Sequence, residues 1–118
     1  MTDKEHQLQV ACVRWFKLQY PKSIIYAVPN GGARNVIVAA KLKAEGVLAG
    51  VPDLFVAEAQ NGFHGLYIEM KVKPNRLSNH QKRIIPILQD KGYYVSVCYT
   101  LEEFIDAIRT YFSTAPFS

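Results

Sequence analysis

Three residues near the middle of the chain could do chemistry together. Asp53 follows Pro52 and opens the apolar run Leu54 to Ala57, while Glu69 and Lys71, one residue apart, close a second apolar run that begins at Leu66. Gln60-Asn61-Gly62 lies between the runs and reads as a hairpin turn, so the pattern predicts two neighbouring antiparallel strands. The strand period of two puts Glu69 and Lys71 on one face with Tyr67, and Ile68 and Met70 on the other. Two carboxylates and an ammonium then converge on one spot. Such carboxylates can hold a hard divalent cation such as Mg2+ through oxygen ligands, with positions left for water and a phosphate oxygen, and a nearby lysine can orient that water or neutralise developing charge. The plainer explanation is a same-face Glu-Lys pair on an edge strand and an aspartate capping a turn, since both charges are common on strands. The chain has no Ser, Cys or His arrangement that could supply a nucleophile instead.

The remaining elements must position these residues. Residues 3–19 read as an amphipathic helix with Leu8, Cys12, Trp15 and Phe16 at helical spacing, and Glu5 falls on the same stripe, one turn before its buried part. An acid there is also explained by a solvated first turn favoured by the helix dipole. Residues 23–28 read as a strand, ended by Pro29-Asn30-Gly31-Gly32, where the glycines suit either a tight turn or a close approach to phosphate. A helix follows over 33–45, stopped by Gly46. After the hairpin, Lys71, Lys73, Arg76, Lys82 and Arg83 fall in a stretch with no acid between Glu69 and Asp90. Such a run is either a solvated loop and helix start or, beside two carboxylates, a grip for a phosphate backbone.

Ser78-Asn79-His80-Gln81 is a capping box that opens a helix, with Pro86 inside it and Gly92 after it. His80 falls on a different turn face from Gln81 and reads as exposed rather than catalytic. Residues 93–99 form an apolar strand, Thr100 caps a last helix with Leu101, Phe104, Ile105 and Ile108 on one face, and the tail 113–118 reads as disordered. The order is α-β-α-β-β-α-β-α. It implies an α/β sandwich, a mixed sheet with its hairpin strands central and helices on both faces.

At 118 residues the chain is expected to form one domain over 1–112, with little room for a separate specificity module. A net charge of +4 and a pI near 9.1 suit a polyanionic partner. Cys12 and Cys98 sit in apolar surroundings at no metal-binding spacing and read as buried thiols in a reducing compartment. The apolar runs are too short to cross a bilayer and no signal peptide is evident, so an intracellular protein is expected.

Gly50-Val51-Pro52-Asp53-Leu54, Tyr67-Ile68-Glu69-Met70-Lys71, Leu77-Ser78 with Gln81, and Gly92-Tyr93-Tyr94-Val95 together resemble the VRR-NUC domain. This is the virus-type replication-repair nuclease branch of the PD-(D/E)XK superfamily, and the similarity runs over nearly the whole chain. The resemblance implies a restriction-endonuclease-like core and a Mg2+- or Mn2+-dependent DNA phosphodiesterase. It implies Glu5 as a further acid completing the metal site, with Asp3 as the fallback if the register is off by a turn, and the backbone carbonyl of Met70 as another ligand. Gln81 would lie beside the active site. Asn30 and Arg34 match a segment common in the family and become DNA contacts beside Lys73, Arg76, Lys82 and Arg83. Small stand-alone members are dimeric junction-cleaving enzymes, which implies a homodimer acting on branched, four-way DNA in replication, repair or recombination. The rivals are a DNA-binding module or nuclease subunit without turnover, and a nuclease for RNA or single-stranded ends.

Overall fold

Asn61 and Gly62 hold φ angles of 51° and 86°, the left-handed pair that a type I′ hairpin turn requires. Gln60 and Phe63 exchange both backbone hydrogen bonds across it, at 3.2 and 2.8 Å. The computed structural model describes residues 2–29 and 35–113. Its elements are α1 (Asp3–Gln19), β1 (Ile25–Ala27), α2 (Val36–Ala44), β2 (Leu54–Val56), β3 (Leu66–Met70), α3 (Asn79–Asp90), β4 (Tyr94–Cys98) and α4 (Leu101–Phe112). The expected order is the observed one.

The strands form one sheet in the order β1-β2-β3-β4, antiparallel at the first two pairings and parallel at the last. The hairpin strands β2 and β3 are therefore central, as the alternation of elements implied. Parallel pairing of β3 with β4 needs a crossover, and α3 supplies it. One face of the sheet carries Ile25, Leu54, Val56, Leu66, Ile68, Met70 and Cys98, which pack with Cys12 and Phe16 of α1 and Phe104, Ile108 and Tyr111 of α4. Each large side chain buried there contributes roughly 1.5–3 kcal/mol. Stacked rings tie the helices together, with Tyr20 centred 5.2 Å from Phe16 and 4.5 Å from Phe112. The hairpin turn is held to α4 by Asn61, whose amide donates to the carbonyls of Tyr111 and Ser113. Both cysteines are buried free thiols, and burial pushes the Cys12 thiol up to about 12.

The opposite face carries the alternate residues Tyr26, Phe55, Tyr67 and Glu69. It is covered beside β4 by α3, whose buried residues Ile84 and Ile85 lie outside the main core cluster. Pro86 costs α3 one internal bond on an exposed side, and the helix continues through it. Several boundaries differ from those the sequence predicts. β1 and β4 are shorter than 23–28 and 93–99, because Ser23 closes a turn onto Tyr20 and Tyr99 donates its N–H to Glu103 at the start of α4. α2 begins at Val36 rather than residue 33, because the Asn35 side chain caps it by accepting from the N–H groups of Ile37 and Val38. No residue of α2 is buried, and Val36 is 83% and Ile37 73% exposed. Except for Ser113, which caps α4, the tail lies outside the described residues.

Candidate active site

Pro52 shapes the site by what it lacks. Carried past Leu54↔Ile68, the β2–β3 register sets Asp53 opposite Glu69 and Pro52 opposite Met70. Pro52 has no N–H to offer the Met70 carbonyl and the ladder stops there; the Met70 N–H goes to the Asp53 carboxylate, Oδ2 accepting at 2.9 Å in a buried position. This bond fixes the Asp53 side chain over the end of β3. A strand residue presents its N–H and C=O to the same edge, so the Met70 carbonyl is directed to the Asp53 side as well. The Lys71 N–H, one residue on, turns the other way to the Cys98 carbonyl.

Asp53 and Glu69 are the only buried charged residues among those described, at 7% and 2% exposure. Burial, and then the negative Asp53 beside it, push the Glu69 carboxyl up to about 8, with Lys71 and Gln81 pulling the other way. Lys71 Nζ stands 3.7 Å from Glu69 Oε2, and this is the one ion pair among the described residues. Glu69 Oε1 is buried with no hydrogen-bond partner. A buried acceptor without a donor is costly in a finished structure and normal at a site that takes a ligand. Two carboxylates, one with an orphaned oxygen, and a strand-end carbonyl are an all-oxygen donor set suited to Mg2+ or Mn2+.

Gln81 performs two tasks at once. Its Oε1 accepts from Ser78 N at 2.8 Å while Ser78 Oγ accepts from Gln81 N, completing the capping box, and its side chain also lies near enough to Glu69 to oppose the upward push on that carboxyl. The start of α3 is seated by Gly50, whose φ is +97° and where a Cβ would collide with the His80 carbonyl oxygen. Only glycine allows this approach, and the approach brings the Pro52-Asp53 segment against Gln81.

The other expected site residues are more dispersed. Lys73, Arg76, Lys82 and Arg83 are exposed. Lys73 and Arg76 border a hollow with Pro74, Asn75 and Tyr99, and Arg83 shares a groove with His80 and Lys43 of α2. Lys73 and Arg76 therefore border a different hollow from Arg83. Glu5 is not brought to the pair. Its Oε1 accepts from Asn75 Nδ2 at 3.2 Å, and among the described residues no group of three or more His, Cys, Asp and Glu side chains is placed to hold a metal ion. Asn30 and Arg34 lie outside the described residues. Sequence reasoning missed the hydrogen bond that the Met70 N–H donates to the Asp53 side chain. It also missed Gly50 as a positioning residue, for which the sequence holds no signal beyond the glycine itself.

No helix among the described residues is long and apolar enough to cross a membrane. Comparison with curated proteins gives no match. Among solved structures the chain is similar to a VRR_NUC domain protein, with a TM-score of 0.79 and 31% identity over 97% of this chain and 92% of that one. The family model of the VRR-NUC domain matches residues 3–101, from the first turn of α1 to the start of α4 and across every residue of the carboxylate site. The chain belongs to the VRR-NUC family, a nuclease-type fold of the PD-(D/E)XK superfamily.

Proposed function

We propose that the protein is a divalent-metal-dependent DNA nuclease that hydrolyses phosphodiester bonds. The observation that carries this reading is the buried Asp53–Glu69 pair with its orphaned Oε1, since a DNA-binding module gains nothing from clustering carboxylates where phosphates must lie. Asp53, Glu69 and the Met70 carbonyl would hold Mg2+ or Mn2+, and the ion supplies Lewis-acid polarisation of the phosphate when bound. Glu5, tied to Asn75, would serve as an outer acid acting through water. Lys71 stands at the mouth of the pair, where its ammonium orients the attacking water and offsets the charge that develops on the phosphate as the leaving oxygen departs. Gln81, beside Glu69, favours its ionised form. Lys73, Arg76, Lys82 and Arg83 would grip the backbone, with Asn30 and Arg34 as further contacts.

The proposal extends to an intracellular homodimer that prefers branched, four-way DNA. A module of this size offers a plain duplex only a small, phosphate-directed interface, whereas two copies about a two-fold axis double the basic surface. The exposed Val36 and Ile37 of α2 supply apolar area for a subunit contact. A panel of labelled linear, flapped, single-stranded and four-way DNA, run with Mg2+, Mn2+ and EDTA, tests the reading. Cleavage should require the ion and be fastest on the junction; cleavage undiminished in EDTA would remove the metal mechanism, and equal rates on junction and duplex would remove the selectivity.

A further inference from the structure

We propose that the aromatic row Tyr26, Phe55, Tyr67 and Tyr93 is a stacking platform for unpaired nucleobases of the DNA strand engaged at Asp53 and Glu69. The inference rests on the nuclease reading for its ligand and goes beyond it in assigning a base-contacting surface. Tyr26 pairs with Phe55 and Phe55 with Tyr67 across neighbouring strands, so their rings form a line running across the strands. Centroids are 5.7 Å apart for Tyr26 and Phe55, 4.6 Å for Phe55 and Tyr67, and 5.4 Å for Tyr67 and Tyr93. His64 extends the line with its ring 5.8 Å from Tyr93.

Two features mark the row as a built surface. Gly65 has no side chain where a Cβ would collide with Phe55 Cζ, so the Phe55 ring lies against bare backbone. Gly92 gives way to the His64 imidazole in the same manner. The row nevertheless remains open, with Tyr26 51% exposed and Phe55, Tyr67 and Tyr93 half-buried. Aromatic faces fixed by packing and left accessible suit a flat ligand, because little side-chain entropy is lost when it binds.

Position selects the ligand. Phe55 is two residues from Asp53 on β2 and Tyr67 two residues from Glu69 on β3, all on one face, so the row lies about 7 Å from the carboxylate pair by strand geometry. A strand whose phosphate sits at the pair would place its neighbouring bases over these rings. A protein partner covering the row would crowd the approach to the carboxylates. Bases inside an intact duplex keep their faces stacked on one another, so the platform takes single-stranded, gapped or frayed segments, with every base acceptable because each has a π-face. This matches the unpaired positions near the centre of a branched substrate.

The test uses the full chain with Ca2+ in place of Mg2+, so that binding is read without cleavage, on a single-stranded oligonucleotide carrying a fluorescent purine analogue and on the matching duplex. Tyr26→Ser removes the most exposed ring without touching the core, and Tyr26→Phe retains it. Tyr26→Ser should weaken single-strand binding by roughly 5- to 100-fold, the effect of losing one base stack. It should also abolish the quenching of the analogue, whereas Tyr26→Phe and all duplex affinities should match the wild type. Equal single-strand affinity in wild type and Tyr26→Ser, or equal weakening on duplex, would overturn the platform. A loss of self-association in Tyr26→Ser would also overturn it and assign the face to a second copy of the chain. The nuclease reading fails separately: a protein that never cleaves with Mg2+ yet loses single-strand binding in Tyr26→Ser keeps the platform, and one that cleaves normally but is indifferent to Tyr26→Ser does not.

Discussion

The proton on Glu69 makes a measurement possible without any substrate. In the metal-free fold its carboxyl is pushed up to about 8 by burial and by Asp53, against an ordinary value of 4.5 in the unfolded chain. Between those values the unfolded chain releases the proton and the fold retains it, so the contribution to stability is complete below the unfolded value and is lost as pH rises through the folded one. The slope is at most about 1.4 kcal/mol per pH unit, and the whole window at most about 5 kcal/mol, comparable with the total stability of a small domain. In melting temperature this is on the order of 5 °C per pH unit for a chain of this size. Glu69→Gln cannot titrate. Thermal melts of both proteins in EDTA between about pH 5 and pH 9 should therefore show the wild-type curve falling relative to the variant up to about pH 8 and running parallel above it. A cation needs the ionised carboxylate, so its affinity should rise about tenfold per pH unit over the same range, with a proton displaced on binding. Calorimetry in buffers of different ionisation enthalpy counts that proton. Parallel melting curves throughout, with no proton released by Mg2+, would show that Glu69 is already ionised in the free protein and refute the electrostatic account of the pair.

Three further outcomes follow from the same geometry. Lys71→Ala should bind Mg2+ like the wild type in calorimetry yet lose roughly 2–4 kcal/mol of transition-state stabilisation in single-turnover cleavage, whereas Asp53→Ala should lose both; a Lys71→Ala protein with wild-type turnover would place the lysine outside the chemistry. Gly50→Ala should cost about 2 kcal/mol or more of stability in denaturant melts, from its left-handed backbone and its approach to the His80 carbonyl, and should lower turnover by shifting Gln81; unchanged stability would mean the segment relaxes freely. Ile37→Glu should convert a dimer to a 13.3 kDa monomer in light scattering at micromolar concentration if α2 forms the subunit contact, and a wild type that is already monomeric would remove the dimer.

Features decided by a few neighbouring residues were legible in the sequence. The hairpin follows from Asn61-Gly62, the start of α3 from Ser78 and Gln81, and the core stripe of α1 from Cys12 and Phe16 at helical spacing. The pairing of Asp53 with Glu69 was legible too, because one hairpin joins them and the period of two fixes their face. What could not be read needed register or distance between elements far apart in the chain. The aromatic row depends on Tyr26 lying opposite Phe55, set by a pairing of strands separated by a helix, and no local pattern in either strand announces it. Glu5 shows the limit from the other side, since helical spacing placed it on the buried stripe but could not say that the turn at Asn75 would meet it first.

Gln81 shows why a complete local explanation does not exhaust a residue. The capping box accounts for its oxygen, and the same side chain lies near enough to Glu69 to oppose the upward push on that carboxyl. A cap usually stabilises a helix by about 1 kcal/mol; here it also seats a polar side chain beside a buried carboxylate. The same economy runs through Pro52, which ends a ladder and offers no donor to the Met70 carbonyl, and through Gly50, which admits the helix that carries Gln81. These devices position a pair of carboxylates whose burial is unfavourable in the empty fold, one of them with an unpaired oxygen and pushed up to about 8. A chain under pressure only to be stable would replace Glu69 with an apolar residue, as the isoleucine at 68 and the methionine at 70 already do for the opposite face. Under the proposed nuclease function a bound cation would relieve the cost borne at Glu69, and the same cation would bring a phosphate to the edge of the aromatic row.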